Sequence, residues 1–140
     1  MKLRPGEAAL VAAAREARRL AYAPYSRFKV GVALLLNDGR VITGVNVENC
    51  SYGLTVCAER NAIAAAVSAG AKPGDVLAVA IVTKATAATS PCGACRQVLA
   101  EFCRPTTRIV LHNVADGATA PVTLASLLPR AFTPDNMPDR

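Results

Sequence analysis

Apolar residues recur at helical spacing near the start of the chain. Over about residues 7–22, Leu10, Ala14, Ala17 and Ala21 share one face, and Arg15, Glu16, Arg18 and Arg19 share the other. That is the 3.6-residue period of an amphipathic helix. Pro24 ends it, because the residue before a proline avoids the helical region. The period then changes. Residues 28–36 and 40–47 are β-rich runs on either side of Asn37-Asp38-Gly39, and an Asp-Gly turn between two such runs predicts a hairpin. A polar loop follows, Asn46-Val47-Glu48-Asn49-Cys50-Ser51-Tyr52-Gly53. Its position just upstream of the first motif described below suits ligand binding as well as it suits a plain turn.

Residues 57–69 return to a helical, alanine-rich pattern with Ile63, Ala66 and Val67 apolar, and Gly70 stops it. Residues 76–83 form a near-continuous apolar run, as expected of a strand buried on both faces. A small-residue loop over 84–90 leads to a second helix over 92–102 and a short strand over 108–111. A last edge strand over 121–124, a short helix over 124–128 and a tail carrying Pro129, Pro134 and Pro138 close the chain. Strands alternating with helices after a hairpin predict an α/β fold whose mixed sheet is covered on both faces. Neither an internal repeat nor a second domain is visible, so residues 1–140 are expected to form one domain.

Composition narrows the class. The chain has 140 residues, 52% hydrophobic and 19% charged, enough to bury a substantial core with little disorder. No apolar run is long enough to span a bilayer. Arg15, Arg18 and Arg19 give the N-terminal stretch a superficial transit-peptide character, but Glu7 and Glu16 oppose it and there is no apolar leader. A cytoplasmic protein is expected. The net charge is +6, yet the basic residues are scattered and the aromatics few, so neither a nucleic-acid footprint nor a base-stacking platform is expected. Five cysteines without an export signal argue against a disulfide framework.

Two short stretches carry the chemistry. Cys57-Ala58-Glu59-Arg60 and Pro91-Cys92-Gly93-Ala94-Cys95-Arg96 both fall at predicted helix starts. The unpaired N–H groups and partial positive charge of a helix N-terminus favour the thiolate that binds metal. Cys92 and Cys95, three apart on a first turn, face the same way. With Cys57 from the other helix they make three protein ligands and leave a fourth tetrahedral position for water. Glu59 then stands as a proton carrier beside that water. This is the layout of a catalytic zinc site, and it requires the two helix starts to converge. Three thiolates give the zinc site a net negative charge, which Arg60 and Arg96 could offset by donating hydrogen bonds to sulfur. Two other readings of the cysteines remain open. One is a structural zinc site with Cys50, Cys103 or His112 as fourth ligand, the other a redox pair Cys92-x-x-Cys95. Neither gives Glu59 a task. Cys50 and Cys103 are otherwise expected in buried apolar surroundings.

The combination Cys57-Ala58-Glu59 with Pro91-Cys92-x-x-Cys95 is similar to the signature of the zinc nucleoside and nucleobase deaminases. Tyr25-Ser26-x-Phe28-x-Val30-Gly31, Gly44-x-Asn46-Val47-Glu48-Asn49, Pro91-Cys92-Gly93-x-Cys95-Arg96-Gln97 and Leu127-Leu128-Pro129-x-x-Phe132 closely resemble the small homotetrameric cytidine deaminases. The resemblance implies a three-layer α/β/α fold with a five-stranded mixed sheet. It implies hydrolysis of cytidine and 2′-deoxycytidine to uridine and 2′-deoxyuridine with release of ammonia, in pyrimidine salvage. Cys57, Cys92 and Cys95 would hold one Zn²⁺ per subunit and its hydroxide for attack at C4, and Glu59 would shuttle the protons. Asn46 and Glu48 would hold the sugar, Phe28 would lie against the base, and Ala58 would meet the base through its backbone. Phe132 and Tyr52 would reach a neighbouring subunit's site, with the tail over about residues 129–140 making that approach. A deaminase of a cytosine-bearing antibiotic such as blasticidin S shares the zinc motifs, but the 46–49 and 51–53 stretches look like the nucleoside branch. Glu48 points the same way, since a carboxylate at the sugar accepts a free hydroxyl and repels a phosphate.

Overall fold

One sheet organises the chain, in a computed structural model that describes residues 2–139. Its strands are β1 (Gly31–Leu36), β2 (Val41–Val45), β3 (Val76–Thr83), β4 (Cys103–Asn113) and β5 (Thr119–Thr123). They lie in the order β2-β1-β3-β4-β5. The β3–β4 pair is parallel and the other three are antiparallel, so the sheet is mixed. The helices are α1 (Glu7–Arg18), α2 (Ala58–Ser68), α3 (Gly93–Phe102) and α4 (Leu124–Leu127), with 3₁₀ turns at Tyr52–Leu54 and Pro134–Asn136.

Side-chain alternation divides the core into two halves. On one face Leu10 and Ala14 of α1 meet Ala33, Ala80 and Val82. On the other, α2 and α3 bury Ala62, Ile63, Ala66 and Leu99 against Val32, Leu34, Val79, Ile81, Ile109 and Leu111. The three layers and five strands agree with expectation. Two strand glycines set how closely the helices approach. A Cβ on Gly31 would lie 2.1 Å from Ala14 O, and one on Gly44 would lie 2.4 Å from Ala62 N and 2.7 Å from Ala58 O. The sheet is therefore in backbone contact with α1 at Gly31 and with the start of α2 at Gly44.

Several boundaries differ from the sequence pattern, each for a tertiary reason. Helix α1 ends at Arg18, short of residue 22, because Tyr22 is taken into a bridge: its N–H donates to Asn46 O at 3.0 Å and its carbonyl accepts Glu48 N at 2.9 Å. Strand β1 starts at Gly31, not at residue 28. Residues 24–26 instead make a turn closed by Arg27 N donating to Ala23 O at 3.0 Å, with Arg27 at φ 58° and Phe28 N donating to Ser26 Oγ. Strand β4 is longer than the apolar run at 108–111. It begins directly after α3, where Cys103 pairs with Val76 before a register shift leads to Ala78↔Arg108.

Candidate functional site

Cys57 and Cys92 are the N-cap residues of α2 and α3, both with extended backbone, and Cys95 sits on the first turn of α3. The β3–α3–β4 crossover brings the start of α3 past the end of β3, beside the start of α2. The two helix starts converge as the motif spacing requires: the sulfurs of Cys57, Cys92 and Cys95 all lie within 4.8 Å of one another. Sulfurs on a tetrahedral Zn²⁺ stand about 3.8 Å apart, so closing onto the ion takes at most about 1 Å. Among the described residues this is the one cluster able to hold a metal. His112 is occupied across the sheet, its Nδ1 2.8 Å from Thr119 Oγ1, and belongs to no metal cluster. Cys103 is buried, which pushes its thiol up to about 12. Cys50, expected in apolar surroundings, is instead exposed on the polar loop, its thiol donating to Asn49 Oδ1. A fourth protein ligand to a structural ion is therefore not supplied by any of the three.

Charge around the sulfurs fits a cation. Arg60 Nη2 donates to Cys57 Sγ at 3.6 Å and to Thr55 O at 3.4 Å, while its buried Nε has no hydrogen-bond partner among the described residues. Arg96, expected beside it on the thiolates, takes another position. Its Nε donates to Pro91 O at 2.8 Å and its Nη1 to Leu127 O at 2.6 Å, so it ties the loop before Cys92 to the end of α4. Burial and the adjacent Glu59 carboxylate push the Cys95 thiol up. Burial acts the same way on Cys92, but the Cys95 backbone N–H and the neighbouring thiols outweigh it and leave Cys92 lowered. Such crowding of acidic groups is what a bound dication relieves.

Glu59, on the first turn of α2, is 5% exposed. Burial raises its carboxyl above the ordinary range, against the lowering effect of the Cys95 thiol. It lines a cavity of about 290 Å³ together with Cys57, Ala58 and Cys92 at one side and Phe28, Asn46 and Glu48 at another. Ala58 is the first residue of α2, where the N–H has no intrahelical partner.

Asn46 and Glu48 also build the wall that carries Phe28. Asn46 Nδ2 donates to Phe28 O at 2.8 Å and its Oδ1 accepts Val30 N at 2.9 Å. Glu48 Oε1 accepts Tyr25 N at 2.9 Å and Ser26 N at 3.1 Å, and the Ser26 hydroxyl donates to Oε2. The Ser26 hydroxyl and then the two N–H groups hold the Glu48 carboxyl below its ordinary value against the opposing effect of burial.

Tyr52 and Phe132 do not line this cavity. Tyr52 is 74% exposed, its ring centroid 5.8 Å from that of Tyr25. Phe132 is 61% exposed and anchored by Gln97 Nε2, which donates to its carbonyl at 2.9 Å. The cavity also includes residues to which the sequence gave no role: Ser26, Val30, Thr55, Ile81, Thr83, Thr89 and Ser90. The signal for Ser26 was its place in the Tyr25-Ser26-x-Phe28 stretch; Thr83 closes an apolar run and carried none.

Residues 6–112 match the model of the cytidine and deoxycytidylate deaminase zinc-binding region. The chain is 51% identical over 130 residues to the cytidine deaminase of Halalkalibacterium halodurans, covering 93% of this chain and 96% of that one. It is 46% identical over 128 residues to the cytidine deaminase of Sporosarcina psychrophila, covering 91% and 92%. The crystal structure of cytidine deaminase from Burkholderia pseudomallei superposes with a TM-score of 0.86 at 51% identity, covering 89% of this chain and 98% of that one.

Proposed function

The chain belongs to the cytidine and deoxycytidylate deaminase family, and from that premise we propose that it hydrolyses cytidine and 2′-deoxycytidine to uridine and 2′-deoxyuridine, releasing ammonia, in pyrimidine salvage. The observation that carries the proposal is the buried Glu59 carboxylate lining one cavity with converging cysteine sulfurs. Cys57, Cys92 and Cys95 would hold Zn²⁺, which would supply the Lewis acid that acidifies a water. Glu59 accepts one proton of that water and delivers it to N3 of the pyrimidine as the remaining hydroxyl adds to C4. It then takes the proton of the new C4 hydroxyl and passes it to the amino nitrogen, which leaves as ammonia as the C4 carbonyl forms. A carboxyl raised by burial suits this work, because it holds a proton more readily than an ordinary carboxylate does.

The rest of the cavity sorts the substrate. Phe28 lies against the base, and the free N–H at the start of α2, on Ala58, meets its edge. Asn46 and Glu48 take the sugar hydroxyls with the hydrogen-bonding capacity that the 25–30 segment leaves them, and the charge of Glu48 excludes a phosphate there. Arg60 holds the Cys57 sulfur, and Arg96 fixes the loop that presents Cys92. Tyr52 and Phe132, exposed and outside the cavity of their own chain, complete a neighbour's site in a homotetramer.

The test is the loss of cytidine ultraviolet absorbance with matching ammonia release. Chelation is expected to abolish both, and added Zn²⁺ to restore them. The variant Glu59→Ala is expected to keep its zinc while kcat falls about 10²–10⁴-fold. Turnover equal to wild type in that variant would exclude the assigned role.

A further inference from the structure

Strand β3 ends on Thr83, whose side chain is buried at 2% exposure. Along the strand, Val79 and Ile81 belong to the core beneath α2 and α3, and Ala80 and Val82 to the core beneath α1. Alternation therefore turns Thr83 toward the helix starts that carry the cysteines, and Ile81 and Thr83 both line the cavity. The pairing Gly31↔Val82 puts Val30 beside Thr83, so these two residues form the sheet side of the cavity.

The backbone of Thr83 is satisfied, its carbonyl accepting Val114 N at 2.9 Å. Its hydroxyl is not: Oγ1 has no hydrogen-bond partner among the described residues. The polar side chain paired with it across the sheet, Asn113, bonds to Ala85 and Ala115. A buried hydroxyl without a partner destabilises a fold, and a valine of nearly the same shape would remove that cost. Buried polar groups are otherwise almost always paired. The unpaired one here faces a binding cavity whose neighbouring sheet-side residues, Val30 and Ile81, are apolar. An aminopyrimidine brings to such a wall the donors and acceptors of its ring edge.

We propose that Thr83 is a substrate-positioning residue whose hydroxyl meets the polar edge of the pyrimidine, directly or through one held water. The inference rests on the reading of the cavity as a cytidine site. Thr83 adds a contact there that neither the cysteine motifs nor the sugar-binding stretch contains.

The experiment compares wild type with Thr83→Val and Thr83→Ser, each checked for zinc content. Absent turnover of cytidine by zinc-loaded wild type would overturn the deaminase reading, and this inference with it. Given wild-type turnover, Thr83→Val is expected to raise KM about 10-fold with little change in kcat, the loss of one hydrogen bond to ligand. Thr83→Ser is expected to recover most of that loss. The ligand-free Tm of Thr83→Val should equal or exceed that of wild type, while the Tm rise on adding uridine should shrink. A KM within twofold of wild type, a fall in ligand-free Tm, loss of zinc or failure to fold would each overturn the proposal. A hydroxyl with no partner among the described residues contributes nothing to folding or to holding the metal.

Discussion

Glu48 keeps its charge where the Tyr25 and Ser26 N–H groups and the Ser26 hydroxyl converge, and that convergence couples this wall of the cavity to pH. Its carboxyl is lowered from the ordinary 4.5, so as the pH falls the unfolded chain takes up this proton before the folded one does. The stability contributed by Glu48 is therefore complete above pH 4.5 and disappears as the pH drops through the lower folded value. Glu48→Gln should be less stable than wild type at neutral pH, and the difference should narrow under acid. Urea unfolding at a series of pH values measures it, and a difference that stays constant with pH would refute the linkage. The importance of Glu48 was legible in its loop position and family stretch. Its bonds to Tyr25 and Ser26 were not, because the partners lie more than twenty residues away and the link forms only when the 24–26 turn packs against the loop. Arg96 shows the converse. Its neighbours in sequence pointed to sulfur, and its fold neighbours are the carbonyls of Pro91 and Leu127.

At the scale of elements, the site is an alignment of two helix starts, and the strand glycines govern that alignment. Gly44 of β2 admits the backbone of α2 one turn from Cys57: an added methyl would meet Ala62 N at 2.4 Å and Ala58 O at 2.7 Å. Backbone atoms cannot rotate aside as a side-chain tip can. Gly44→Ala should destabilise the fold by roughly 1–3 kcal/mol and weaken zinc retention, because α2 must shift and Cys57 with it. Thermal unfolding and competition with a chelator check the two effects, and wild-type values in both would show that the helix start is not held there. The glycine looked like an ordinary strand residue in the sequence. The hairpin, α2, β3 and α3 were all visible as changes of period. The first half of β4 was hidden, because Arg104-Pro105-Thr106-Thr107 has no apolar alternation. Its strand geometry comes from continuing α3 directly into pairing with β3.

At the scale of the whole molecule, the apolar surface has a consequence for assembly. Leu20, Tyr22, Tyr52, Leu54 and Phe132 are all more than half exposed, and in the proposed homotetramer these would be surfaces for neighbouring chains to cover. Phe132→Ala should keep zinc and fold yet raise KM for cytidine several-fold, about the effect of losing one aromatic contact. Light scattering reports the assembly alongside the kinetics, and a monomeric wild type or an unchanged KM would count against a shared site. The sequence by itself determined the chemistry. Thiolates three apart on a first turn, a third cysteine followed two residues later by a glutamate, and the stretches around them leave few other tasks for those groups, since ligand type and local spacing are properties of the chain. Only the tertiary structure decided which groups meet across distance. It turned Arg96 to carbonyls, left Cys50 in solvent, set Glu48 to hold a turn and buried the Thr83 hydroxyl without a partner. Such outcomes depend on how sheet and helices close on one another, and that closure is a property of packing that no local window of residues contains.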